Sequence, residues 1–270
     1  MELHRATSLA ALMAVLLSGC AHQVPATVPE VASGFLKGYL SRETLPNSKL
    51  LLPPPPAKDS AAFTADEAAY RSTRSLKDTP RWALAIQDAE LKFPEVTAAF
   101  SCAVNAPLTP DATPRLYMLL RRSATDAGLA MNAAKDNYKR PRPFMEFNET
   151  SCTPADEPSL RRNGSYPSGH TGIGWAWALI LAEVAPDRTD PILYRGYTYG
   201  QSRVVCGVHW QSDVEAGRVV AAGVVARLHA DPVFEADLTA AKREIAAARE
   251  KQLLPTRDCT AEAAAMAIHK

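Results

Sequence analysis

Seven segments of this chain repeat apolar residues at helical intervals, and this pattern restricts the possible folds more than any other feature. The segments span residues 65–76, 81–91, 114–134, 168–185, 191–203, 209–229 and 232–252. Prolines at positions 80, 94, 110, 114, 186, 191 and 232 punctuate their ends. No internal repeat and no convincing strand run is visible. The pattern therefore predicts an all-α domain that folds as a compact helical bundle.

The first 19 residues have the features of a secretory signal. Arg5 precedes an apolar run at 6–17 that is too short for a membrane span. The sequence Leu-Ser-Gly-Cys that ends at Cys20 resembles a bacterial lipobox, in which the cysteine is lipidated and becomes the new N-terminus. A plain signal peptide that is cut a few residues later is the alternative. Both predict export to the periplasm, and Ala21 after a lipidated Cys20 favours tethering to the outer membrane, by resemblance to Gram-negative lipoproteins.

The rest of the chain divides into three parts. Residues 20–45 predict a stalk that leads into the domain, because Pro, Ser and Thr are scattered there without a sustained period. The prolines at 53–56 must be extended and mark the beginning of the folded domain, which we assign to 46–260. Residues 261–270 form a C-terminal tail.

The most apolar segment, 173–184, contains Glu183 and is shorter than the roughly 20 residues of a membrane span. A net charge of +1 gives no reason to expect a nucleic-acid partner.

Cysteine usage agrees with export. Apart from Cys20, the chain contains four cysteines, an even number in an oxidising compartment: Cys102, Cys152, Cys206 and Cys259. These allow three pairings, of which we favour Cys102 with Cys152 and Cys206 with Cys259. No Cys-x-x-Cys pair is present, so the spacing does not favour a zinc site.

Residues 164–171, Gly-Ser-Tyr-Pro-Ser-Gly-His-Thr, combine a helix start, an anion-binding turn and a titratable imidazole. Proline suits the first position of a helix, and the free N–H groups of a first turn attract anions such as phosphate. His170 lies beside those groups and is a candidate acid or base. Taken alone, such a stretch is more often an ordinary turn.

Two further blocks change that interpretation. Upstream, Lys135 and Arg142 are seven residues apart, a spacing that returns to one face of a helix, although neighbouring prolines place Arg142 just beyond the helix end. Downstream, His209 and Asp213 are four apart, so on a helix the carboxylate can accept from Nδ1–H and leave Nε2 free. Each pair alone is more often a solvated surface feature. Their ordered occurrence within 79 residues indicates chemistry.

Together the three blocks resemble the signature of the type 2 phosphatidic acid phosphatase superfamily, which includes lipid phosphatases, bacterial acid phosphatases and vanadium haloperoxidases. The octapeptide, residues 152–154 and 161–163 before it, and the prolines at 53–56 resemble the class A bacterial non-specific acid phosphatases. The resemblance implies a helical bundle of the acid phosphatase and vanadium haloperoxidase type. It also implies small-molecule phosphomonoesters as substrates, no cofactor, and homo-oligomers, for which no seam is readable.

The resemblance further implies a role for each site residue. Five residues would hold the phosphoryl oxygens through cations or N–H groups: Lys135, Arg142, Ser168, Gly169 and Arg203. His209 would attack phosphorus through Nε2, Asp213 would stabilise the charge on its ring, and His170 would protonate the leaving alcohol. The crowding of positive charge argues against a catalytic metal. Two imidazoles in opposite protonation states predict a weakly acidic optimum.

Three alternatives remain. A lipid anchor makes a phosphatase of lipid phosphates or isoprenyl diphosphates conceivable, although its integral-membrane relatives carry several spanning helices. A vanadium haloperoxidase shares the three blocks, but the chain length and the octapeptide favour the acid phosphatases. A lipoprotein that only binds phosphorylated ligands would need the cations, but it would need neither a nucleophile nor a general acid.

Overall fold

The computed structural model describes residues 28–268, and these are mostly helical. The α-helices in this range are α1 (Ser48–Leu51), α2 (Ala61–Ser72), α3 (Pro80–Gln87), α4 (Ser101–Val104), α5 (Pro114–Ala130), α6 (Asn132–Tyr138), α7 (Pro143–Glu146), α8 (Glu157–Leu160), α9 (Gly169–Val184), α10 (Thr189–Val205), α11 (Gln211–Leu228), α12 (Pro232–Glu250) and α13 (Cys259–Ala267). Short 3₁₀ helices lie at Thr73–Leu76, Glu95–Phe100, Pro154–Asp156 and Pro186–Arg188. The predicted all-α fold is confirmed.

Helix boundaries follow from local chemistry. Proline occupies the first turn of α3, α5 and α12, where its missing N–H costs nothing and its fixed φ suits the helix. Side-chain caps satisfy other first-turn donors: Ser60 accepts from Phe63 N, and Asp231 accepts from Val233 N and Phe234 N. Three of the prolines that punctuate the predicted segments, at positions 80, 114 and 232, therefore begin helices.

Predicted and observed helix bounds differ at several places, and two of the differences affect the site. The segment predicted at 114–134 is two helices, because the N–H of Met131 donates to the carbonyl of Gly128 and the helix tightens between α5 and α6. The segment predicted at 209–229 begins at Gln211, with Trp210 as its N-cap. His209 therefore precedes α11 and Asp213 lies in its first turn, so the two residues do not share a helix face as predicted.

Helix α9 lies at the centre of the molecule. It is apolar on nearly every face and packs against α5, α10, α11 and α12, as expected of a helix surrounded by others. Small residues allow close approach: a Cβ added at Gly217 of α11 would lie 2.7 Å from the carbonyl oxygen of Ser168. This contact, with the hydrogen bond from Ser168 N to Asp213 O, brings the starts of α9 and α11 together, which is where the site forms. None of the helices within 28–268 combines the length and apolar composition that crossing a bilayer requires.

Both ends of the described chain pack on the helical body. Strands β1 (Glu30–Ala32) and β2 (Phe35–Leu36), in the segment assigned to the stalk, form an antiparallel hairpin beside α5. Helix α13, most of which falls in the segment assigned to the tail, packs against α3. The signal and Cys20 lie outside the described residues.

The four cysteines form two disulfides, but the favoured pairing is wrong. Cys102 pairs with Cys259 and Cys152 with Cys206, with Cα atoms 5.4 and 4.6 Å apart. The backbone explains the second bridge, because Cys152 N donates to Cys206 O at 2.9 Å and holds the two segments side by side. The first joins α4 to the start of α13, a contact between distant parts of the chain.

Candidate active site

The structure brings the predicted site residues to one place. A cleft of about 720 Å³ is lined by five of them: Lys135, Arg142, Gly169, His170 and His209. The other three, Ser168, Arg203 and Asp213, are buried next to these residues. They meet because α6, the start of α9, the end of α10 and the start of α11 converge on the cleft.

His209 is buried, with 2% of its surface exposed, and both ring nitrogens have partners. Nδ1 lies 3.3 Å from Asp213 Oδ2, and Nε2 lies 3.0 Å from Nη1 of Arg142. A guanidinium can only donate, so Nε2 must accept, and the ring proton is therefore on Nδ1. This tautomer leaves a lone pair on Nε2, as a nucleophilic imidazole requires.

Asp213 is held by a full set of donors. Its Oδ2 accepts from Trp210 N at 2.9 Å and from the hydroxyl of Ser165, in addition to His209. Its Oδ1 accepts from Nη1 of Arg140 at 2.7 Å. A fully buried carboxylate is tolerated only when it is paired in this way, and its lone pairs then fix the ring of His209.

Arg140 links this carboxylate to a second one. Its Nη2 donates to Asp66 Oδ2 at 2.7 Å, and Asp66 also accepts from the backbone N–H of Ser212 at 2.8 Å. Helix α2 is thereby attached to the first turn of α11. No sequence pattern indicated a role for Arg140, Asp66 or Ser165. Arg140 lies between Lys135 and Arg142, and Ser165 lies in the octapeptide at 164–171, but no pattern around Asp66 marks it.

Lys135 and Arg142 are buried cations that contact carbonyl oxygens. Lys135 Nζ donates to Gly164 O at 2.7 Å, and Arg142 donates to Leu160 O at 3.0 Å and to Val208 O at 2.9 Å. Helix α6 ends at Tyr138, so Arg142 lies beyond the helix end, as the neighbouring prolines predicted. No carboxylate hydrogen-bonds to either cation among residues 28–268, which leaves net positive charge facing the cleft.

Arg203 has the least satisfied side chain of the cluster. It is 1% exposed, and its Nε and Nη1 have no hydrogen-bond partner within residues 28–268. Its own carbonyl accepts from the N–H groups of Val208 and His209, so its backbone is fixed beside the imidazole. Buried donors are nearly always paired in proteins, so these two fit an anionic ligand that would accept from them.

The first turn of α9 is also arranged for an anion. Ser168 is its N-cap: Oγ accepts from Thr171 N at 3.3 Å and from Thr171 Oγ1 at 2.9 Å. The N–H of Ser168 is used by the protein, because it donates to Asp213 O at 2.9 Å. What faces an anion is therefore the hydroxyl hydrogen of Ser168 and the N–H groups of Gly169 and His170, which have no intrahelical acceptor.

His170 is oriented by a backbone contact. Its Nε2 lies 3.0 Å from Ala89 O, and because a carbonyl can only accept, Nε2 carries a proton. The remaining ring nitrogen, Nδ1, is then the atom that can exchange a proton with a ligand. The ring lines the cleft beside the cations.

The pKa values reflect this crowding of positive charge. Burial, followed by the charges of nearby cations, holds the pKa of His209 and of His170 well below the ordinary value, with Arg142 the strongest such cation for His209 and Arg203 for His170. Burial and Arg142 lower the pKa of Lys135 to about 7. Burial lowers the pKa of Arg142 and of Arg203 to about 10. A bound dianion would offset the repulsion among these cations and would raise each of these pKa values.

Residues 28–268 contain no group of three or more His, Cys, Asp and Glu side chains placed to hold a metal ion. The cationic side chains of Lys135 and Arg142 and the first-turn N–H groups of α9 at the cleft are groups that attract an anion.

Comparison with known proteins identifies the family. The pattern of the PAP2 superfamily matches residues 116–234. The chain is 48% identical to the non-specific acid phosphatase of Providencia stuartii over 209 residues, which cover 77% of this chain and 84% of that protein. It is 44% identical to the non-specific acid phosphatase of Salmonella typhimurium, over 77% and 83% of the two chains. It is 43% identical to an acid phosphatase of Zymomonas mobilis, over 76% and 78%. The chain therefore belongs to the class A acid phosphatases of the PAP2 superfamily.

Proposed function

We propose that this protein hydrolyses phosphomonoesters to an alcohol and inorganic phosphate through a phosphohistidine intermediate. One observation carries the proposal: a buried imidazole, His209, has its proton fixed on Nδ1 by Asp213, and its Nε2 lone pair lies among buried cations that have no carboxylate partner within residues 28–268. Phosphoryl transfer needs this combination of a positioned nucleophile and positive charge around the equatorial oxygens.

In the first step, Nε2 of His209 bonds to phosphorus as the bond from phosphorus to the ester oxygen breaks. In the structure, Nη1 of Arg142 donates to Nε2 of His209, and we expect it to donate to a phosphoryl oxygen when substrate is bound. Arg203 and Lys135 would contact the other oxygens. Asp213 stabilises the positive charge that develops on the ring. A proton from Nδ1 of His170 goes to the leaving oxygen.

In the second step, His170 accepts a proton from a water molecule, whose oxygen bonds to phosphorus as the bond to His209 breaks. Inorganic phosphate leaves, and both imidazoles return to their starting forms.

The protonation of His170 depends on the substrate. In the free protein, burial and then the charge of Arg203 hold the pKa of His170 well below its ordinary value. A phosphate dianion among Arg203, Arg142 and Lys135 offsets their charge and raises the pKa of His170, so the acid is charged when it is needed. This dependence favours a weakly acidic optimum.

The nucleophile can be tested with a matched pair of histidine variants. His209→Ala should lower kcat on p-nitrophenyl phosphate by at least about 10⁴-fold, because a nucleophile and its covalent intermediate are lost. His229→Ala is the control, since His229 is a surface residue between Glu183 and Glu235. When the phosphate of the substrate is radioactively labelled, rapid quenching into alkali preserves phosphohistidine. The wild-type protein should then carry the label and His209→Ala should not. Activity near the wild-type level in His209→Ala would remove the assignment.

The same assay separates this mechanism from a metal-dependent one. Orthovanadate, which imitates the five-coordinate phosphoryl group, should inhibit, whereas EDTA should leave the rate unchanged. The reverse result would indicate a metallophosphatase and contradict the proposed role of the cations.

We also propose that the protein is exported and anchored in the outer membrane through Cys20. The two disulfides agree with an oxidising compartment. In cells fed labelled palmitate, the wild-type protein should carry label and Cys20→Ser should not, with Ser18→Ala as a nearby control. An unlabelled wild-type protein would exclude the lipid anchor and leave a plain, cleaved signal peptide as the alternative.

A further inference from the structure

The cleft extends well beyond the residues that would handle phosphate. Most of its remaining wall is apolar and comes from separate elements: Phe35, Leu40, Leu91, Leu129, Leu160 and Ile173. At about 720 Å³ the cleft has the size of a site for a whole small molecule rather than for a phosphoryl group alone.

This apolar wall is continuous with the proposed catalytic residues. Leu91 follows Ala89, whose carbonyl accepts from His170, by two residues. The carbonyl of Leu160 accepts from Arg142 Nε. An ester bound at the cations would therefore place its leaving group among these side chains.

One side of the wall is a strap, residues 30–42, that side chains of α5 hold in place. Thr125 Oγ1 donates to Leu36 O at 2.7 Å, and Arg122 donates to Lys37 O at 3.3 Å and to Gly38 O at 3.1 Å. The contacts are to backbone carbonyls, so they fix the path of the strap and leave its side chains free to face the cleft.

Asp126 fixes the end of the strap. Its Oδ2 accepts from Tyr39 N at 2.8 Å and its Oδ1 accepts from Leu40 N at 3.2 Å. Gly38 packs so closely on this carboxylate that a Cβ there would overlap it. Asp126 lines the cleft, but these two N–H groups occupy its oxygens, and the apolar side chain of Leu40 is held in the wall.

We propose that the strap and the ends of α5, α8 and α9 form a leaving-group subsite that selects phosphomonoesters of apolar alcohols or phenols. The inference rests on the proposed function, because it concerns the other half of the same substrate. Lys37 and Arg42 of the strap also line the cleft, but both are exposed to solvent, so they attract the anionic ester without replacing the apolar contacts.

A series of n-alkyl phosphates tests the subsite, because chain length changes the apolar area while the basicity of the leaving alcohol stays nearly constant. Each methylene that enters the cleft should raise kcat/KM about threefold. We expect hexyl phosphate to exceed ethyl phosphate by at least about tenfold, with glycerol phosphate near the ethyl value. Hydrolysis of all esters at one rate would overturn the subsite and leave the proposed function intact. Hydrolysis of none would overturn the proposed function.

Two variants locate the effect. Leu129→Ser, near the end of α5, and Phe35→Ser, in the strap, should each reduce the ratio of hexyl to ethyl kcat/KM at least threefold. Val219→Ser is the control, because Val219 is an exposed residue of α11 outside the cleft lining and should leave the ratio unchanged. An equal loss of the ratio in all three variants would contradict the assignment.

Binding gives a readout that does not need turnover. By calorimetry, hexylphosphonate should bind at least about tenfold more tightly than ethylphosphonate, even to a protein without activity.

Phosphatidate in phosphatidylcholine vesicles tests whether the substrate is a free ester or a membrane lipid. Faster turnover of dispersed hexyl phosphate than of the lipid supports entry of a free ester. Turnover of the lipid with no preference among dispersed esters would overturn the subsite.

Discussion

Two arginines on α10, Arg195 and Arg203, are equally buried but lie in opposite surroundings. Arg195 makes two hydrogen bonds to Asp88, at 3.1 and 2.5 Å, and its Nε lies 3.5 Å from Glu262 as an ion pair. Arg203, two turns further along, has two donors without a partner in the part of the chain that the structure describes. Within the described residues, one helix therefore carries one buried cation that is paired with carboxylates and one that is not.

The pKa values show the same contrast. Burial opposes the charge of Arg195, but Asp88 and Glu262 outweigh burial and raise its pKa. For Arg203, burial outweighs the smaller raising effects of Tyr199, Asp156 and Asp88 and lowers its pKa to about 10. A buried charge without a partner is costly to a fold. Its presence beside His170 and His209 is explained if the missing partner is the substrate.

Arg195 and Arg203 show how structural and functional charges can be separated in a fold like this one. Burial alone does not distinguish them, because both side chains are inaccessible. A carboxylate partner within residues 28–268 does, because Arg195 has one and Arg203 does not. Arg142 and Lys135 resemble Arg203 in this respect, since they hydrogen-bond to carbonyl oxygens and not to carboxylates.

The largest effect on activity that tests this contrast between the two arginines is expected at Arg203. Arg203→Met keeps most of the side-chain volume and should lower kcat/KM by about 10³-fold, because an oxyanion contact in the transition state is lost. The free energy of unfolding, measured in urea, should stay the same or rise, since an unpaired buried charge is removed. Inorganic phosphate should raise the melting temperature of the wild type by several degrees and have little effect on the variant. Unchanged kcat/KM would show that Arg203 does not contact phosphate.

Arg195→Met is the matched control on the same helix. It leaves Asp88 and Glu262 buried with fewer partners, so it should lower the free energy of unfolding by about 3–5 kcal/mol. At temperatures where the variant is folded, kcat/KM should stay within about threefold of the wild type, and phosphate should still raise the melting temperature. If the two variants behaved alike, pairing would not distinguish the two roles.

Sequence patterns could predict the cations and histidines of the site, but not the residues that hold them in place. Lys135, Arg142, His170 and His209 lie in short motifs whose chemistry is local and readable. Arg140 stands next to Lys139 and two residues before Arg142, and nothing in the sequence distinguishes its charge from theirs. Its burial depends on Asp66, 74 residues away, and periodicity carries no information about such a partner.

The same limit applies to the strap and the disulfides. The strap has no periodic pattern, because α5 holds it through backbone carbonyls that any residue could supply. Cysteine spacing did not indicate that α13 returns to α4, so Cys259 was assigned to the wrong partner. The relation of His209 to Asp213 was predicted, but on a helix face, whereas a turn and a first helical turn bring them together.

The smallest effect concerns Lys135, whose lowered pKa makes the comparison dependent on pH. Burial and Arg142 lower that pKa to about 7, so in the free protein Lys135 loses its charge as pH rises through 7. Binding of the anionic substrate should weaken accordingly, and kcat/KM should lose about tenfold by pH 8 from this group alone. Lys135→Arg keeps its charge, so its profile of log kcat/KM should fall less steeply, by one unit of slope, above pH 7. Lys139→Arg, at an exposed neighbour, should keep the wild-type profile. Equal slopes in all three proteins would mean that Lys135 stays charged and is satisfied as Arg195 is.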